Sequence, residues 1–277
     1  RYFDCFEKYF PDGETVNIAT NYRSDKVIVQ KSNNFMNDNG IMGAPAKWNR
    51  DKNDASIELI NIDDVWVEYR EVEANTEEYK TDLTYRMLLN LENGTAQYDQ
   101  TSGRYLKKCV ELIEKHKGSS VLILHRKKQL RGKYDLNNLQ TRIRRYLEKE
   151  KHFTPKDSGK VRFETMHRAK GIEAEIVIVL EANRKNIPLI HPDTELFEAF
   201  GLTPDVVIED EKRLFYVALT RAEQIVYFLY DGYVSEFASM CESKPISKTT
   251  ANISHEQLIE FLESNMEPSN CLKSDPK

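Results

Sequence analysis

Three short stretches set cationic side chains beside apolar runs: NYRS at 21–24, FETMHRAKGIEAEIVIVLE at 163–181 and EDEKRLFYVALTRAE at 209–223. A guanidinium presents a planar fork of N–H donors that matches a phosphate or carboxylate bidentately, while lysine offers a point charge. The residues of interest are Arg23, Arg126, His167, Arg168, Lys170 and Arg221. The chemistry they point to is recognition of a phosphate-bearing ligand. Two of them have ordinary alternatives. An arginine at a helix C-terminus complements the helix dipole, and a lone histidine is more often a structural hydrogen-bonder.

Apolar runs supply the frame for these residues. SIELINI (56–62), SVLILH (120–125), VRFETM (161–166), EIVIVLE (175–181) and IVYFLY (225–230) read as strands. Val16–Ala19 reads as a short strand leading into NYRS, and VWVEYREV (65–72) as a partner for 56–62. Helical spacing predicts helices over Asp25–Asn37, Thr76–Leu91, Gly103–Lys117, Asn137–Lys149 and Asp210–Ala222. Residues 40–54 and 183–205, with their glycines and prolines, read as irregular. Strands alternating with helices imply an α/β fold with a largely parallel sheet.

Ligands of such sheets sit beyond the carboxyl ends of the strands. That rule places Arg23, Arg126 and the His167–Lys170 loop on a common edge. Arg221 is expected apart, at the end of a helix buried through Leu214, Phe215, Val217 and Ala218. The expected organisation is one domain over 1–240, then a polar linker and short helix over 241–277, with Ser254 and Gln257 forming a capping box.

The chain has 277 residues, 40% hydrophobic and 31% charged, the composition of a globular protein. No apolar run approaches the roughly 20 residues that span a bilayer, so no membrane association is expected. The start, RYFDCFEKYF, shows neither an initiator methionine nor a signal-peptide pattern. The expectation is a piece of a longer cytoplasmic protein. Cys5, Cys109, Cys241 and Cys271 form no CxxC pair and read as reduced thiols. Residues 51–100 hold 13 acidic and 4 basic side chains, whereas 104–152 hold 15 basic and 5 acidic. On charge alone, the basic block fits a nucleic-acid track and solvated helix faces alike.

EDEKRLFYVALTRAE resembles motif VI of superfamily 1 helicases of the UvrD/Rep class. TMHRAKGIE (165–173) resembles their motif V, and NYRS their motif IV. The three stand in the family's order, over roughly residues 1–233, with spacing compatible with its second RecA-like domain. Only a short or vestigial insertion near 130–158 separates SVLILHRKKQ from motif V, a layout most similar to DNA helicase IV. Ile172 stands where leucine is commoner and Lys212 where arginine is, both mild departures.

The resemblance implies a RecA-like P-loop NTPase-type sheet flanked by helices, forming the C-terminal motor domain of an ATP-dependent DNA helicase or translocase. The family's polarity is 3′ to 5′, and its partners are single-stranded and duplex DNA. It implies that Tyr22 flanks the adenine of ATP and that Arg23 reaches the γ-phosphate. Lys170, Gly171 and Glu173 would line the sugar and phosphates. Arg221 would be the arginine finger, with Thr220 helping to position it. Thr165, His167 and Arg126 would touch DNA. Arg23 and Arg221 are the catalytic candidates, and no metal ligand is expected in this chain. The sequence has no phosphate-cradling Gly-x-x-x-x-Gly-Lys-Ser/Thr loop and no Asp-Glu pair after an apolar strand to hold magnesium. The family keeps both, and hence Mg2+, in an N-terminal RecA-like domain. This chain is therefore expected to be half of an ATP site, inactive in hydrolysis alone. Two other readings use the same motifs: a motor that remodels a protein partner such as RNA polymerase, and a binding module that has lost catalysis.

Overall fold

The computed structural model describes residues 6–13, 20–38, 46–51, 55–65, 100–132, 134–191 and 203–243. In chain order the elements are α1 (Phe6–Tyr9), β1 (Thr20–Asp25), α2 (Lys26–Asp38), β2 (Lys47–Arg50), β3 (Ser56–Asn61) and α3 (Gln100–Lys115). They continue with β4 (Val121–His125), β5 (Gln129–Leu130), β6 (Tyr134–Asp135), α4 (Leu136–Glu150), α5 (Pro155–Ser158) and β7 (Val161–Thr165). The last are β8 (Ala174–Val179), α6 (Pro204–Leu219), β9 (Ala222–Tyr230) and α7 (Glu236–Cys241). The expected strand at 16–19, the helices at 76–91 and 254–264, and nearly all of 65–72 and of the linker lie outside the described residues.

The apolar runs build a five-stranded sheet in the order β3-β9-β8-β4-β7, every pair parallel. Strands covered on both faces lose the polar alternation of a half-exposed strand. Accordingly all of VLILH in β4 is buried, whereas the edge strand β7 alternates buried and exposed positions. Successive residues serve opposite cores. Val121, Ile123, Ile176 and Ile178 pack under Leu106, Val110 and Ile113 of α3 and Leu139, Ile143 and Leu147 of α4. Leu122, Leu124, Val177 and Val179 face Ile28 and Phe35 of α2, Phe215 and Ala218 of α6 and Phe237 of α7. This is a mixed α/β fold with a parallel sheet flanked by helices, consistent with a RecA-like domain. Cys109 and Cys241 are buried free thiols within these cores, and burial pushes the Cys241 thiol up to about 12.

Three expectations need correction. NYRS is part of a strand, because β1 pairs in parallel with β2 in a separate two-stranded sheet. Residues 47–50, read as loop, are that partner. The helix expected to start at Asp210 starts at Pro204, since the Thr203 hydroxyl accepts from Val206 N and proline suits the first helical position. It also ends at Leu219, so Arg221 sits beyond it, in the turn into β9.

An aromatic cluster locks α6 to the sheet. The Phe215 ring centroid lies 5.0 Å from that of Phe35, 5.3 Å from Phe228 and 5.7 Å from Phe237. Phe215→Ala should cost about 3–5 kcal/mol of folding stability, as large core deletions do. Urea unfolding measures this, and a loss under about 1 kcal/mol would show that the site collapses around the smaller side chain.

Candidate functional site

The four residues of NYRS have separate tasks. Asn21 turns its side-chain oxygen back to accept from Arg23 N at 2.8 Å and Ser24 N at 3.0 Å, which fixes the backbone that carries Arg23. The Ser24 hydroxyl donates to Ala222 O at 2.8 Å, pinning β1 to the first residue of β9 and hence beside Arg221. Tyr22 stays 64% exposed. Arg23 reaches across to Glu173, Nε to Oε2 at 2.5 Å.

Arg221 is held by its own surroundings. Its Nε donates to Val217 O at 2.9 Å, Nη1 to Ile172 O at 3.3 Å and Nη2 to the Thr220 hydroxyl at 3.2 Å. Thr220 in turn donates to Tyr216 O at 2.9 Å. The bond to Val217 is the helix-end role of a C-terminal arginine, so the ordinary reading of this residue is present in the structure. Three bonds still leave two of the five guanidinium N–H donors unengaged among the described residues. Burial, and then the charge of Arg23, lower the Arg221 pKa, while Glu173 acts against them. Two like charges and one carboxylate thus share a small region. Gly171, with φ at +90°, makes the turn that delivers Ile172 and Glu173 there.

A second group gathers at the opposite end of the strands. Arg126 follows β4, and its Nε lies 3.1 Å from both Glu211 carboxylate oxygens, with Nη2 2.5 Å from Oε1. Glu211 Oε2 also accepts from Leu189 N at 3.0 Å. The fork of Arg126 is therefore spent on an internal carboxylate. Thr165 is buried at the end of β7, its carbonyl accepting from Arg168 N and Ala169 N at 3.0 Å. His167 and Lys170 are exposed, and both line a cavity of about 600 Å³ between the 166–170 turn and α6. Burial, and then Arg126, hold the His167 imidazole below its ordinary pKa.

The expected sites therefore do not share one edge. Glu173 precedes β8 and Arg221 precedes β9, and Ala174 N donates to Arg221 O at 3.1 Å. Arg23, Gly171, Glu173 and Arg221 stand at the amino ends of these strands. Arg126, Thr165 and His167 stand at the carboxyl ends, where Thr165 is in register with His125. The reason is the short connection from β7 to β8, which runs back along the sheet from one end to the other. At about 3.3 Å per residue the two groups lie on the order of 15–20 Å apart.

Glu211 was not anticipated, although its signal is in the sequence. It shares a face of α6 with Phe215 and Ala218, so it must be buried and must find a cation. A polar network at the carboxyl ends of the strands was also missed. His125 Nε2 lies 2.7 Å from Glu181, whose backbone takes φ of 50°, and Arg131 bridges to Asp231 at 3.1 Å. Burial alone would raise the Asp231 pKa, but hydrogen bonds from Tyr105 and Asn183 and the Arg131 charge hold it below the usual carboxylate range.

The parallel sheet thus carries an arginine pair with one carboxylate at its amino ends and an Arg126–Glu211 ion pair at its carboxyl ends. Residues 120–232 match the family model of the UvrD-like helicase C-terminal domain. The matched stretch contains Arg126, Thr165, His167, Gly171, Glu173 and Arg221; Tyr22 and Arg23 precede it. Among solved structures, the C-terminal domain of a possible DNA helicase from Lactobacillus plantarum WCFS1 is similar at 14% identity and a TM-score of 0.38, covering 80% of this chain and 94% of that one. No curated protein matches the chain. Among the described residues no group of three or more His, Cys, Asp or Glu could hold a metal ion, and no helix is long and apolar enough to cross a membrane.

Removing Glu211 would leave the Arg126 charge buried and uncompensated. Glu211→Ala is expected to destabilise the fold by about 3–5 kcal/mol. Replacing both residues by apolar ones should recover most of that loss. A double variant as unstable as the single one, measured by denaturant melts, would mean the pair contributes through something other than charge.

Proposed function

We propose that this chain is the C-terminal motor half of an ATP-dependent DNA helicase or translocase. The carrying observation is the convergence of Arg23, Gly171, Glu173 and Arg221, from three distant segments, at the amino ends of β8 and β9. The matched family, described as helicase, supports the same reading. It lends nothing to the polymerase-remodelling alternative.

The residues fit a polyphosphate. Two guanidinium groups converge, one of them with donors to spare, and the exposed Tyr22 ring lies on the same strand as Arg23. In this reading Tyr22 flanks the adenine, Lys170 and Gly171 lie along the sugar and phosphates, and Arg23 and Arg221 neutralise charge growing on the terminal phosphoryl group. Bound ATP supplies the scissile phosphoanhydride, and its Mg2+ belongs to an N-terminal RecA-like partner domain. Arg221 is pre-positioned by Val217, Ile172 and Thr220, so little rotamer freedom is lost when it engages a ligand.

At the carboxyl ends, Thr165 and His167 contact the DNA backbone. Arg126 acts beside them as an anchor of α6, because Glu211 already occupies its fork. A 3′ to 5′ direction and kinship with DNA helicase IV belong to the same proposal and rest on the resemblance of the motifs alone.

In the full-length protein, Arg221→Ala should reduce DNA-stimulated ATP turnover by about 10³ to 10⁵, the range for arginine fingers, while DNA binding is largely kept. A loss below roughly tenfold would sink the assignment. The chain alone should hydrolyse no ATP. His167 gives an independent test. Its lowered pKa keeps it neutral at pH 7, an N–H donor rather than a cation. As pH falls below the ordinary imidazole range it gains charge, so oligonucleotide affinity should rise on acidification in the wild type and respond less in His167→Asn. Identical pH profiles would remove His167 from the DNA contact.

A further inference from the structure

The ion pair between Arg23 and Glu173 has an odd geometry for a structural contact. Nε and Oε2 lie 2.5 Å apart, yet Arg23 Nε makes no aligned hydrogen bond. The side chains are partly exposed, 38% for Arg23 and 54% for Glu173, although Arg23 Nε itself is buried. Such a pair contributes little to folding and can be broken at little cost. What it does accomplish is electrostatic. It places one negative charge beside two guanidinium groups that otherwise repel each other.

We propose that Glu173 is an internal stand-in for a phosphate: its carboxylate holds Arg23 beside Arg221 until ligand binds, and the terminal phosphates of the ligand displace it. This rests on the reading of the arginine pair as a phosphate site. Glu173 lies one residue beyond Ile172, whose carbonyl accepts from Arg221, so the backbone carrying the stand-in is tied to the second arginine. Its exposed side chain is free to swing away while that backbone stays fixed.

The arrangement has a consequence for selectivity. A phosphate brought to Arg23 with Glu173 in place meets a like charge within a few ångströms. A monovalent anion gains too little to displace the carboxylate. A polyphosphate, with several charges reaching both guanidinium groups, gains enough. Glu173 therefore biases the site against small anions and toward polyphosphates. The role implied by family resemblance, a contact to the nucleotide's sugar, makes the opposite forecast, since losing a favourable contact weakens binding.

Tripolyphosphate separates the two because it has phosphates and no sugar. Its affinity for the 277-residue chain would be measured by titration calorimetry at fixed ionic strength, for the wild type, Glu173→Gln, Arg23→Ala and Arg221→Ala. The exposed pair predicts that Glu173→Gln binds about three- to fivefold tighter, with an unchanged melting temperature. Adding Arg23→Ala to that variant should erase the gain. If Glu173→Gln binds equally or more weakly while either arginine variant loses affinity, the stand-in is overturned and the phosphate site stands. If tripolyphosphate binds none of the proteins, or all of them alike, both fall together.

Discussion

A carboxylate buried midway along a helix must find a cation, and in this protein that requirement ties the two ends of the sheet together. Glu211 faces inward with Phe215 and Ala218, and Arg126 is the group that meets it with three contacts of 3.1 Å or less. Leaving either charge alone would cost several kcal/mol. The pair therefore fixes where α6 lies along the sheet. Arg221 follows two residues after that helix, so its position is inherited from a contact near the opposite end. The aromatic packing of Phe215 supplies adhesion, while the ion pair supplies registration.

The clearest lesson about legibility comes from NYRS. Its flanking sequence, TNYRSD, carries almost no apolar signal, so no pattern of period two announces a strand. The strand exists because of partners distant in the chain: the parallel register with β2 and the Ser24 bond to Ala222. By contrast, VLILH and AEIVIV are legible as buried strands because burial on both faces leaves only apolar residues. The start of α6 was also readable, since Thr203 and Pro204 are a cap and a first-turn residue. Proline there was weighed as a breaker, although its fixed φ suits that position.

Site residues divide along the same line. The motif resemblance implies Arg23, Gly171, Glu173 and Arg221 as partners, and the structure brings them together. Their location on the sheet was not legible, because the carboxyl-end rule describes loops that leave strands. Arg221 and Glu173 lie on segments that enter strands. The 166–173 connection is short enough to expose its first residues at one end and its last at the other. The occupation of Arg126 by Glu211 likewise depends on packing that no local spacing encodes.

That short connection also constrains how the two ends communicate. Arg168 N and Ala169 N bond to Thr165 O, and Ile172 N bonds to Ala169 O, all at 3.0 Å. Met166 and Ala169 are fully packed in the core. A segment bonded and packed in this way resists rearrangement, and so does α6 while Glu211 holds Arg126. Coupling between distant groups needs an element with two discrete states. Within the described unit only exposed side chains such as Arg23 and Glu173 have that freedom. The cationic groups at the two ends are therefore held in one packed unit. Under the proposed function, a large displacement coupled to ligand binding would occur between this unit and a partner domain, with the Arg23–Glu173 contact as the local part that changes.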